Sequence, residues 1–293
     1  MESVRTVKTN NGVELGYRAV KAPGQDTALV MIHGVASNLT RWSEFVEQTH
    51  LAGSWGLVRI DLRGHGTSPY RGKLTHEVWA DDVHAILAQE GFRRAVIVGH
   101  SLGAQVGLHF ATRYPQETAG LVLLDPVFPE CLRGRLATAR RIRPLIGGLI
   151  RLAWFLNALG MYRRHFPSLD LKTLDLQTRE LLKADDQIAI AKRYARPGED
   201  IKYLPLANYL QDLYEVTRPL PPLADIPMPV LVIMSSGVGI TSLEMNRRRV
   251  DELPDAKIVI IDADHWLLTE RPLEVRQAIE DWCQSLKSDG SHR

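Results

Sequence analysis

A serine sits between two glycines at a corner where a strand pattern turns abruptly into a helical one. In VIVGHSLGAQVGL (96–108) an apolar run meets Gly-His-Ser-Leu-Gly, and helical spacing begins at once. G-x-S-x-G between strand and helix is a nucleophile elbow. The bend holds the Ser101 hydroxyl clear of the sheet, and Gly99 and Gly103 remove side chains that would collide with strand and helix. The helix starting behind the serine aims unpaired N–H groups and a positive dipole end at any developing negative charge. A serine hydroxyl is a poor nucleophile until a base takes its proton, so the chemistry needs a histidine. The chain has ten.

The elements that must position these groups are legible as short apolar runs. They are 29–32 (LVMI), 57–60 (LVRI), 95–98, 121–124 (LVLL), 230–234 (VLVIM) and 258–261 (IVII). Runs that are nearly all apolar suit parallel strands covered on both faces. Helical stretches such as 78–89 and 103–113 lie between them, which implies a doubly wound, mostly parallel α/β sheet. Asn10-Asn11-Gly12 reads as a hairpin turn near the N-terminus. His33, Asp61, Ser101 and Asp125 all fall at carboxyl ends of strands, where such sheets gather ligands.

The strand rhythm stops between about 126 and 227. Leu145, Leu149, Leu152, Leu156 and Leu159 recur there at helical spacing, and prolines cluster from Pro219 to Pro229. This segment reads as an inserted helical cap. The expected organisation is a core of 1–126 and 227–286, a cap of 127–226 and a flexible tail of 287–293.

Bulk properties exclude several classes. The chain has 293 residues, 45% of them apolar, and a formal net charge of +2, so charge gives no reason to expect a nucleic-acid partner. Cys131 and Cys283 are isolated and form no metal-binding spacing, which fits reduced thiols and no metal site. MESVRTVKTNNG lacks a signal-peptide pattern, and the apolar stretch 145–159 is broken by Arg151 and too short for a span. The expectation is a soluble, cytoplasmic protein of unknown oligomeric state.

With GHSLGA, His33-Gly34, DLRGHGTS (61–68) and DHWLLTERP (264–272), the chain resembles the α/β-hydrolase superfamily over nearly its whole length. The resemblance implies the α/β-hydrolase fold, hydrolytic chemistry and no organic cofactor. It implies that His265, in the loop after the last strand, is the base. It also implies that the residue after His-Gly, Val35, joins Leu102 in offering backbone N–H groups to the oxyanion. His33, His65 and His100 take loop-packing roles, and Asp61 and Arg63 tie loops together.

The resemblance breaks at the triad acid. Family members carry it after the strand that follows the cap, which here places it at Val238. The first carboxylate beyond is Glu244. Asp125 is the expected replacement: it ends the strand after the elbow, preserves the order serine, acid, histidine, and matches the acid position of a subset of haloalkane dehalogenases. Glu244 ranks second. Asp262 and Asp264 are too near His265 in sequence to face it readily.

Relatives of this fold that attack with aspartate form alkyl esters, whereas serine forms an acyl-enzyme. The reading is therefore a carboxylesterase acting on a small-molecule ester. The cap carries eight arginines and no acid between 131 and 169. Its leucine row is expected to pack on the core or line an acyl pocket, with the arginines on a solvated face. Contact with a membrane surface, as in a lipase or monoacylglycerol hydrolase, is the less favoured reading. The empty acid site leaves a third: a degenerate binding protein of the same fold.

Overall fold

The computed structural model describes residues 2–184, 190–194, 197–237 and 240–290. Within these, eight strands form one sheet: β1 Ser3–Lys8, β2 Glu14–Val20, β3 Thr27–Ile32, β4 Gly56–Ile60, β5 Arg94–His100, β6 Thr118–Leu124, β7 Val230–Ser235 and β8 Ala256–Ile261. Their order is β1-β2-β4-β3-β5-β6-β7-β8. β1 and β2 form an antiparallel hairpin, β2 meets β4 antiparallel, and the other pairs are parallel. The hairpin turns at Gly12, at φ 78°.

All six apolar runs are strands, and their residues divide between two cores with a period of two. On β3, Ala28, Val30 and Ile32 face one core while Leu29 and Met31 face the other. The helices are α1 Ser43–Gln48, α2 His76–Glu90, α3 Leu102–Arg113, α4 Gly134–Arg141, α5 Arg143–Ala158, α6 Leu171–Ala184, α7 Ala191–Tyr194, α8 Pro197–Asp200, α9 Leu206–Val216, α10 Leu243–Val250, α11 Leu267–Glu270 and α12 Pro272–Gly290. Trp79 and Val83 of α2 and Val106 and Phe110 of α3 close the first core. Phe45 of α1 with Val275, Ile279 and Trp282 of α12 closes the second. Thr75 caps α2 through Val78 N–H, and Gly91 ends it in the left-handed region at φ 67°.

α4 to α9 all fall between β6 and β7, where the strand rhythm fails. Two features differ from expectation. α12 continues to Gly290, into the segment read as a flexible tail. The leucine row does not pack on the core: Leu145, Leu149, Leu152 and Leu159 are exposed. α5 instead anchors through Ile146, Ile150 and Trp154 against Leu210 and Tyr214 of α9. A helix apolar on nearly every side gives periodicity no means of choosing the buried stripe.

Candidate active site

Ser101 is the first residue beyond β5 and the N-cap of α3, with φ 56° and ψ −113°. That conformation is rare for a residue with a side chain and is held by its surroundings. Ser101 N–H donates to Leu124 O at 3.0 Å, and Ala104 N–H donates to Ser101 O at 3.0 Å. Both glycines of the elbow are sterically required. A Cβ at Gly99 would lie 2.2 Å from Gly103 O, and one at Gly103 would lie 2.4 Å from Ile32 O.

Asp125 directly follows β6 and also adopts a positive φ, 41°. Its N–H donates to Ile233 O at 2.7 Å, fixing the corner against β7. Its carboxylate is divided between two partners. Oδ1 accepts from Ser235 N–H and Ser235 Oγ–H, each at 2.9 Å. Oδ2 lies 2.5 Å from His265 Nδ1. A carboxylate accepts, so Nδ1 carries the proton and Nε2 is left without one. Asp125, His265 and Ser101 are all buried. The His100 ring, next to Ser101 in sequence, lies 4.9 Å from the His265 ring, centroid to centroid. His100 Nε2 sits 2.9 Å from His265 O and bears on the loop that carries His265. Burial first, and the neighbouring His265 second, push the His100 pKa down to about 3. His100 therefore stays neutral beside His265.

Glu244 is not near this cluster in role: it is solvent-exposed on α10 and pairs with Arg248 at 2.6 Å. Asp262 accepts from Ser236 Oγ at 3.1 Å, and Asp264 N–H is held by Glu270 Oε2 at 2.9 Å. Val238 lies outside the described residues.

The loop after β3 brings Val35 towards the elbow. A Cβ on Gly34 would stand 3.3 Å from Ser101 Cβ, so backbone passes directly against Ser101. His33 holds this loop from within: Leu62 N–H donates to its Nε2 at 3.1 Å, and its Nδ1–H donates to Gly34 O at 2.9 Å. Full burial keeps the His33 pKa well below the ordinary histidine value. Asp61 accepts from Leu39 N–H and Thr67 N–H, both at 2.7 Å, and joins the loops after β3 and β4. Arg63 forks onto buried Asp82, with Nε 2.9 Å from Oδ2. On the far side, Asp212 of α9 accepts from His65 Nε2 at 2.8 Å and reaches Ala36 N–H at 3.5 Å. A cavity of about 330 Å³ borders this loop at Ala36, Ser37 and Asn38 and is also lined by Phe166, Leu169, Tyr203 and Leu204.

Sequence reasoning missed two groups. Ser235 supplies both donors to Asp125 Oδ1; the Ser-Ser following the β7 run was its sole trace. Asp175 of α6 is buried and joins the segment between β6 and β7 to the core. Its Oδ1 lies 2.5 Å from Arg41 Nη1, 2.7 Å from Tyr194 OH and 3.0 Å from Thr269 Oγ1. Those partners are scattered along the chain, so no local pattern announces them. Tyr194 also stacks on Trp266, whose ring meets the His265 ring edge-on at 5.6 Å.

Relatives share parts of this chain. A diacylglycerol lipase of Danio rerio, sn-1-specific diacylglycerol lipase ABHD11, is 28% identical over 120 residues. That match spans 41% of this chain and 38% of the relative. Lipase LipV of Mycobacterium tuberculosis is 34% identical over 104 residues, 36% of this chain and 39% of the lipase. The chain thus aligns with well under half the length of either. Over almost the whole fold, it superposes on a thermophilic esterase from Thermogutta terrifontis with a TM-score of 0.65 at 22% identity, covering 98% of this chain and 99% of the esterase. The family model that describes the alpha/beta hydrolase family matches residues 29–278, from β3 through the nucleophile corner and the loop of His265 into α12. With that sheet order, that corner and that match, the chain belongs to the alpha/beta hydrolase family.

Proposed function

We propose that this hydrolase cleaves carboxylic esters of small or medium acyl length through an acyl-enzyme on Ser101. The observation that carries the reading is the 2.5 Å approach of Asp125 Oδ2 to His265 Nδ1 beside the serine corner. An acid at that strand end, doubly anchored by Ser235, orients the imidazole from the position open to it once the usual site is vacant.

Ser101 Oγ attacks the ester carbonyl, and His265 Nε2 takes its proton. The N–H groups of Val35 and Leu102 stabilise the oxyanion; Leu102 opens α3, where backbone donors have no partner within the helix. The intermediate collapses, the C–O bond to the alcohol breaks, and His265 returns the proton to the leaving alcohol. Water then attacks the acyl-enzyme with His265 as base, releasing the acid and restoring Ser101. Asp125 keeps Nδ1 protonated and stabilises the imidazolium, remaining ionised itself. We assign residues 127–226 to a cap over this site. The buried, free thiols of Cys131 and Cys283 suit a cytoplasmic setting.

A series of p-nitrophenyl esters from acetate to palmitate, with Ser101→Ala as control, tests the assignment. Fastest turnover from acetate to hexanoate supports an esterase. Fastest turnover on long chains supports the lipase reading, which the two partial lipase matches favour. A fluorophosphonate that leaves Ser101 unlabelled favours a degenerate binding protein and defeats the hydrolase reading.

A further inference from the structure

We infer that the outward face of α5 and the turn after it form a docking surface for an anionic lipid bilayer. Leu145, Leu149, Leu152, Phe155, Leu159 and Met161 are all exposed, Phe155 by 60% and Met161 by 64%. They are not scattered. Leu145, Leu149, Leu152 and Leu159 follow the i, i+4, i+7 rule along one stripe, opposite the Ile146–Ile150–Trp154 stripe that packs on α9. A contiguous apolar stripe on a surface helix marks an interaction site.

Charge selects the occupant. Arg135, Arg140 and Arg141 of α4, Arg151 of α5 and Arg163 and Arg164 beyond it are all exposed, on the stripe's own helix and the segments that flank it in sequence. Among the described residues, none of the eight arginines between 131 and 169 forms an ion pair with a carboxylate, although other surface arginines, such as Arg113 and Arg248, do. A self-complementary dimer across this face would set these cations against one another. An anionic headgroup layer receives them instead. Arginine can lay its stem along the apolar surface and keep its guanidinium among the headgroups while the leucines enter the acyl boundary. α5 has 16 residues, and no helix among the described residues is long and apolar enough to cross a bilayer, so this is contact in the plane of the interface.

The test is co-sedimentation of the full chain with phosphatidylcholine vesicles, with and without phosphatidylglycerol, at low and high salt. Binding is expected with phosphatidylglycerol at low salt and should weaken at high salt as the charges are screened. A Leu149→Glu/Phe155→Glu variant should bind about tenfold or more weakly while keeping the wild-type melting temperature, since neither side chain is buried. Arg141→Gln/Arg151→Gln should lose much of the salt-sensitive part. Absence of binding to anionic vesicles, or undiminished binding by the leucine–phenylalanine variant, overturns the inference. So does a dimer in light scattering that this variant converts to monomer, which would make a second copy the occupant. None of these readouts depends on catalysis.

Discussion

Asp125 and His265, 140 residues apart in sequence, meet through Oδ2 and Nδ1 at 2.5 Å, and the other oxygen of the same carboxylate is held by both donors of Ser235. The Asp125 carboxylate is thereby oriented as well as near. Asp125→Asn should lower kcat on the order of 10⁴-fold with the fold retained, because an amide no longer selects the Nδ1–H tautomer. A variant retaining a tenth of wild-type turnover on p-nitrophenyl butyrate would move the acid elsewhere. Ser235→Ala removes one of two donors to Oδ1 and should cost roughly tenfold in kcat with KM little changed.

The corner at Ser101 is strained, at φ 56° for a residue with a side chain. Ser101→Gly should abolish turnover yet raise unfolding stability by roughly 1 kcal/mol, the relief of a strained φ less the added freedom of the unfolded glycine. Urea unfolding measures this directly. Gly103→Ala should behave oppositely: its Cβ would meet Ile32 O at 2.4 Å and His33 O at 2.8 Å, both backbone atoms. A loss of about 3 kcal/mol or failure to fold is expected. Gly148→Ala, where a Cβ meets nothing within 4 Å, should stabilise α5 by up to about 1 kcal/mol.

Asp175 is the counter-ion of a buried arginine. Asp175→Ala would leave Arg41 without its carboxylate and Tyr194 and Thr269 without their acceptor. The expected destabilisation is about 3–5 kcal/mol, the usual cost of an uncompensated buried charge. A thermal melt within a degree of wild type would show that the region carries its charge differently.

Acid should weaken the fold through its neutral histidines. Burial first lowers the pKa of both His100 and His109 to about 3, below the ordinary 6.5 of the unfolded chain. The native state therefore binds fewer protons than the unfolded one between those values. Stability is fully present above about pH 6.5 and falls as pH drops towards 3, by roughly 2 kcal/mol per histidine at pH 5. His33 acts in the same sense. His65, raised by Asp212 against the opposing effect of burial, contributes fully below 6.5 and offsets part of the loss. Urea midpoints at pH 8 and pH 5 should differ accordingly, and His109→Gln should reduce the difference.

The strands β3 to β7 were legible because burial on both faces leaves nearly uninterrupted apolar runs; β8, at the sheet edge, carries such a run although it is only partly buried. The elbow was legible because its pattern is contained in five consecutive residues, although only Gly99 answers a demand from within the motif, the one on Gly103 coming from Ile32 and His33 at the end of β3. The pairing of Asp125 with His265 could be ranked from chain order but not demonstrated, since nothing local distinguishes a strand-end aspartate that orients an imidazole from one that merely ends a strand. Tertiary structure alone disclosed Ser235 and Asp175, whose partners are set by the packing of distant elements. It also decided α5. A helix apolar all round declares that it avoids water but not on which side, and that choice was made by where α9 lies.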